Sequence, residues 1–326
     1  MSNGARWSGG LNLALIALAF TIGFWELREI TRIIGSTGSL GVSDLSRYHA
    51  YFHRIDISTL PDIVWYKGTG FYALFLVMRE VGLDFEVFLF FAIFVFYFAY
   101  IKLTLTCIGP KRYLVLLCVL FGASYWLGSV LGVVLRQGIV YLVVLLAIQC
   151  GIFTTNSRLG VTLIALLALV HPIAFAFLFA LVAIDTLRIP LMYVERLFAL
   201  CILLYIIGFF NVTATLFRPA LMSLDLFSAS ALGSLGAYKT GFSLAKATAF
   251  VLPFVVLKVS VTRSELSYPF RTVYLLFLYF SIFGMFVSGY PYHDRVFLFA
   301  WTVSPILYGC GLVKLCSKLT GFKKGW

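Results

Sequence analysis

The feature that most constrains this chain is a succession of apolar runs, at about 11–27, 86–106, 113–128, 138–153, 159–184, 193–210, 244–259, 269–288 and 296–314. Short stretches between them hold most of the charge. A hydrocarbon core is ~30 Å thick, and each run is long enough to cross or enter it. Lipid offers no partner to an exposed backbone amide, so a spanning segment is either a helix or a strand of a closed barrel. The strand alternation of a barrel is absent from the sequence, which leaves helices. Composition agrees, since 62% of the residues are apolar and 12% charged, against about 45–50% and about 25% in soluble domains. The expected fold is all-α, a polytopic membrane bundle forming one transmembrane domain over 1–326.

The chain carries 25 Lys and Arg against 13 Asp and Glu, a net +12. Spread this thinly, the excess cannot form the continuous basic face of a nucleic-acid binder. It suits membrane lipid headgroups or an anionic lipid-linked substrate. The six cysteines lie in or beside apolar runs with no C-x-x-C pattern, and read as small buried hydrophobes. Leu11 to Trp25 imitates a signal peptide, with Ala17-Leu18-Ala19 at the cleavage position, but the apolar run continues and predicts an uncleaved first span.

Loop charge orients the bundle. Lys and Arg stay cytoplasmic in short loops. Counting back from Lys314, Lys318, Lys323 and Lys324 places Lys258, Arg263, Arg271, Arg188 and Arg196 inside. The run 159–184 is long for one span and is interrupted by His171-Pro172, where proline removes a donor and disfavours helix at the residue before it. A kinked helix and a helical hairpin compete. The hairpin keeps Arg158, Lys111 and Arg112 inside and is preferred, giving about eight full spans plus a hairpin with both termini cytoplasmic. The outer side then receives a first loop at 28–85, a later loop at 211–243, the turn before Arg136, the tip at His171 and the turn before Arg295. Gly68 to Met78 is too short to span, so the first loop is expected to carry short amphipathic or re-entrant helices.

Cations concentrate where the charge rule disfavours them. The first loop holds Arg28, Arg32 and Arg54 among others. Arg136, His171 and Arg295, the last beside His293, stand alone next to apolar segments, where an unpaired charge costs ~2.5–3.5 kcal/mol at a span centre. All three fall at one level near the outer interface. Guanidinium groups in a low-dielectric pocket are what a pyrophosphate ester on a lipid would require, because Arg binds phosphate oxygens bidentately and stays charged.

In the first loop, Asp44 and Tyr48 share a face if the segment is helical, as do His49 and His53. The two histidines could ligate a metal, with Asp44 or Asp56 as a guessed third ligand. No Glu lies between them as in zinc proteases, so neither a metal nor any other cofactor is expected and a divalent cation is not indicated. The glycines of Gly35 to Gly41 read as a turn, and Asn211-Val212-Thr213 is a glycosylation acceptor only in a host that glycosylates it.

Taken in order, Asp44-x3-Tyr48, Gly70-Phe71 opening a short apolar helix, Leu135-Arg136-Gln137, Leu169-Val170-His171-Pro172 and a late Arg295 resemble the EpsG-like and Wzy-type polysaccharide polymerases of bacterial inner membranes. The resemblance covers about Asp44 to Arg295. It implies a GT-C-like fold, a lipid-diphosphate-linked sugar as substrate on the outer leaflet, and Asp44, Tyr48, Arg136, His171 and Arg295 lining the cavity. A flippase and a chain-length regulator are the partners it suggests. One departure stands out: Lys67-Gly68-Thr69 occupies the place where such sequences often carry an acid before the Gly-Phe pair.

The expected activity is glycosyl transfer between polyprenyl-diphosphate-linked oligosaccharide repeat units. The leaving diphosphate is already an anion, so charge stabilisation outweighs acid catalysis. Arg136 and Arg295, with Arg28, Arg32 or Arg54, are the expected grip, and Tyr48 and His293 the adjoining substrate contacts. The hydroxyl proton goes to Asp44 or His171; the imidazole suits neutral pH and is preferred. The competing readings are a transporter or flippase of lipid-linked oligosaccharide, an O-antigen ligase, and a glycosyltransferase using a lipid-phosphate sugar.

Overall fold

The structure, a computed structural model, describes residues 16–25, 28, 44–59, 68–108, 135–152, 157–186, 189–223, 243–262, 265–266, 268–289 and 293–319. Every regular element among them is helical, and none is a strand. In chain order they are α1 (Ile16–Trp25), α2 (Asp44–Arg54), α3 (Thr69–Glu80), α4 (Phe85–Ile108), α5 (Leu135–Gln149), α6 (Ser157–Ala168), α7 (Ile173–Thr186), α8 (Leu191–Ile206), α9 (Phe209–Ser223), α10 (Leu244–Ser260), α11 (Phe270–Phe286) and α12 (His293–Leu319). Two of these, α4 and most of α12, are long and apolar enough to cross a bilayer. At 1.5 Å per residue, α4 runs about 36 Å. A third span is present if the bent pair α8 and α9 counts as one. The protein is thus a helical membrane protein, and the expected run 113–128 lies outside the described residues.

The chain forms two compact units, residues 1–178 and 179–326, with the division inside α7. In the first unit α4 is built from a mainly apolar run without Pro or Gly, in which Glu86 and Lys102 are the charged residues. Phe20 of α1 meets Phe90 edge-on at 5.2 Å. The amphipathic α2 buries Tyr48 and Phe52, four apart, and exposes Arg47, Tyr51, His53 and Arg54. Phe52 packs on Phe75 of α3 at 5.3 Å, and Phe75 on Phe85 of α4 at 5.9 Å. Each buried Phe contributes about 1.5–3 kcal/mol. This cluster seats the two short helices expected in the first loop on the start of α4. Gln149 of α5 donates to the Ala99 carbonyl of α4, tying those two helices together.

In the second unit α10 and α11 pack along α12, and α8 packs on α11. Gly284 lets α11 approach α12, since a Cβ there would come within 2.3 Å of the Phe297 ring. Phe250, Phe297 and Trp301 stack between α10 and α12, with Phe250 and Phe297 centred 4.6 Å apart. Part of the expected outer loop at 211–243 is helical instead. Gly208, at φ +76°, ends α8, and α9 leaves at 76° to it. The apolar stretch Phe209 to Leu216 sustains a helix after the bend, which its neighbouring Asn and Thr residues obscure in the sequence.

Candidate functional site

Four segments far apart in sequence meet in the first unit. Arg136, on the first turn of α5, donates from Nε to the Tyr48 hydroxyl of α2 at 2.9 Å. Its guanidinium carbon lies 5.5 Å from the Tyr48 ring centroid. Tyr48 is itself buried and meets Phe71 of α3 edge-on at 5.1 Å. The hydroxyl and ring together hold a half-buried cation at a fixed orientation.

The third segment is the turn that opens α3. Gly68 sits in the left-handed region, φ +93° and ψ +43°, as the N-cap. A Cβ at that position would lie 2.8 Å from Arg136 Nη1 and 2.8 Å from the Val170 carbonyl oxygen. Gly70 donates its amide to the Leu169 carbonyl at 2.9 Å. The fourth segment is therefore Leu169 to Pro172, the interruption between α6 and α7.

His171 closes that interruption. Its amide donates to Leu167 O at 3.0 Å, while its side-chain Nδ1 accepts from the Ile173 amide at 3.1 Å. The imidazole is thus a side-chain cap for α7. Accepting at Nδ1 places the neutral ring's proton on Nε2, which makes that edge a donor. Proline explains the break, because it cannot donate and it keeps the preceding residue out of the helix.

The other expected site residues are placed as follows. Asp44 begins α2, four residues before Tyr48, and its side chain lies outside the described set. Arg54 ends α2 exposed, Arg28 is exposed, and Arg32 lies outside the described residues. Arg295 belongs to the second unit, half-buried in the first turn of α12, which His293 begins. Structure thus joins Tyr48, Arg136 and the His171 segment in one place.

His49 and His53 meet edge-on at 4.8 Å, and His49 Nε2 lies 3.5 Å from Glu86 of α4. Asp56 instead accepts from the Ile57 amide at 2.6 Å. Among the described residues no three metal-ligating side chains are gathered to hold an ion. Asn211 lies inside α9, half-buried, with its side-chain oxygen out of solvent.

A second polar cluster escaped the sequence reading. Glu195 of α8 is buried, pairs with Lys258 of α10 and accepts from the Tyr274 hydroxyl of α11 at 3.0 Å. The signal for it was present, because a lone acid at the end of an apolar run must find a cation at its own level. Further along, Glu265 accepts from the Thr262 amide at 2.8 Å and from Lys314 at 2.9 Å. The Thr262 amide, then the Lys314 ammonium, hold its carboxyl down at about 2.

Comparison with family models, with curated proteins and with solved structures finds no match.

Proposed function

We propose that this chain is a glycosyltransferase-type polymerase, joining polyprenyl-diphosphate-linked oligosaccharide repeat units on the outer face of the bacterial inner membrane. Its expected architecture remains GT-C-like, with about eight spans and a hairpin. The observation that carries the reading is the Arg136 to Tyr48 contact, abutted by the Gly68 turn that also touches the carbonyl before His171. A guanidinium oriented near the backbone that carries His171 suits a diphosphate oxyanion.

In this scheme a sugar hydroxyl of one repeat unit attacks the anomeric carbon of another. The new C–O bond forms as the bond from that carbon to the diphosphate oxygen breaks. The polyprenyl diphosphate leaves with the electron pair, its charge met by Arg136 and by Nε2–H of His171. Because the Ile173 amide occupies the lone pair at His171 Nδ1, proton acceptance passes to Asp44. Purified protein given a lipid-linked repeat unit should produce a ladder of longer lipid-linked glycans, and no ladder from a protein that binds the substrate would sink the reading.

One observation favours a flippase of the same substrate. The apolar pair α8 and α9 is broken and bent by 76° at Gly208, and broken helices are a transporter feature. Loss of the lipid-linked oligosaccharide from one leaflet, with no new glycosidic bond, would select that reading.

A further inference from the structure

We infer that Gly68 is a positioning residue whose missing side chain sets the place of the Arg136 guanidinium against the His171-bearing break. Two separate costs attach to any side chain there. The first is conformational, since φ +93° is the left-handed region that residues with a Cβ rarely adopt. The second is contact. A Cβ would meet Arg136 Nη1 and the Val170 carbonyl oxygen, both at 2.8 Å, and Arg136 Cδ at 3.3 Å.

The two contacts differ in kind. Nη1 ends a flexible side chain and can swing away, whereas Val170 O is backbone and held where it is. Two residues on, Gly70 is bonded to Leu169 O, and a Cβ on Gly70 would also press on Leu169 at 3.0 Å. The start of α3 and the α6 to α7 break are therefore joined backbone to backbone at their closest practical approach. An added methyl at Gly68 displaces the guanidinium, which pulls Nε from the Tyr48 hydroxyl, and it also presses on the Val170 carbonyl, which has to shift with its backbone. Gly68, in the stretch where the polymerases this chain resembles often carry an acid, has in this reading a steric purpose of its own.

Gly82 supplies an internal control. It has φ +80°, yet nothing lies within 4 Å of the place its Cβ would take, so a substitution there meets the strain without the contact. The test compares Gly68→Ala with Gly82→Ala in full-length protein, with Gly68→Asn and Gly82→Asn alongside, because Asn tolerates the left-handed region better. Two readouts are taken: the rate at which phenylglyoxal modifies Arg136, followed by peptide mass spectrometry, and affinity for sugar-free polyprenyl diphosphate.

Both Gly68 variants should react faster at Arg136 and bind the probe about tenfold more weakly, since small misplacements of an anchoring group are costly. Both Gly82 variants should stay close to wild type. Equal behaviour at the two positions overturns the inference, as does loss of both Gly68 variants from the membrane while the Gly82 variants accumulate. The affinity arm rests on Arg136 as a diphosphate grip, and the labelling arm does not. A wild type that fails to bind the probe would overturn the proposed function and leave the inference to be judged on labelling; binding without polymer formation would overturn the polymerase alone.

Discussion

Arg136 and Tyr48, 88 positions apart, meet through Nε and the phenolic oxygen at 2.9 Å, the side-chain contact that ties α5 to α2. This bond orients the guanidinium plane, while the Phe71 ring packs edge-on against Tyr48. Tyr48→Phe preserves the ring contact and deletes the bond. A hydrogen bond to a charged group contributes about 1.5–3 kcal/mol, so polymer yield should fall about tenfold or more while protein level holds. Arg136→Ala should abolish product. Quantifying glycan from membranes of matched protein content checks both.

His171 has two edges with different duties, and Asn can serve only one. In His171→Asn the amide oxygen can replace Nδ1 as acceptor for Ile173, but the amide NH2 sits nearer the backbone and falls short of the place where Nε2 donates. The variant should unfold within about 1 kcal/mol of wild type, the scale of a retained cap, and lose activity. Full activity in His171→Asn would reduce the imidazole to a cap for α7. Melting temperature in detergent and product yield, read on one preparation, separate these outcomes.

Glu195 ties three helices of the second unit together through Lys258 and Tyr274. Breaking a fully buried pair costs about 3–5 kcal/mol, and Lys258, partly exposed, can recover some hydration. Glu195→Gln should therefore destabilise by about 2 kcal/mol and Tyr274→Phe by about 1 kcal/mol. Denaturation in mild detergent, with both single variants and the double, gives the coupling.

Glu265 makes acid stability pH-dependent in a defined direction. Its carboxyl titrates at about 2 when folded against an ordinary 4.5. A lowered pKa stabilises the fold above about 4.5, where the unfolded carboxyl is already ionised. The contribution fades as pH falls from there and is gone below about 2. Glu265→Gln should melt lower than wild type at pH 7 and converge with it as pH approaches 2, and added salt should narrow the gap. Paired melting curves across that range measure it.

The helical class followed from the run lengths of apolar residues, because a chain in lipid must satisfy its amides within each segment. The short helix after Gly68, the amphipathic α2 and the break at His171-Pro172 were legible for equally local reasons: length, face and proline. The continuation of α8 into α9 was not, since Asn211, Thr213 and Thr215 look like loop residues. Thr213 and Thr215 turn their hydroxyls back onto preceding carbonyls inside a helix.

By itself, then, the sequence determined which segments are apolar helices and which lone cations, Arg136 among them, had to find company, for those are properties of neighbours along the chain. Only the tertiary structure decided that Tyr48 is Arg136's partner, that Gly68 is the wall beside it, and that Nδ1 of His171 is spoken for by Ile173. Those relationships depend on side-chain directions set by packing between helices, where a displacement of one ångström changes which atoms meet, and no spacing in the linear chain encodes that distance.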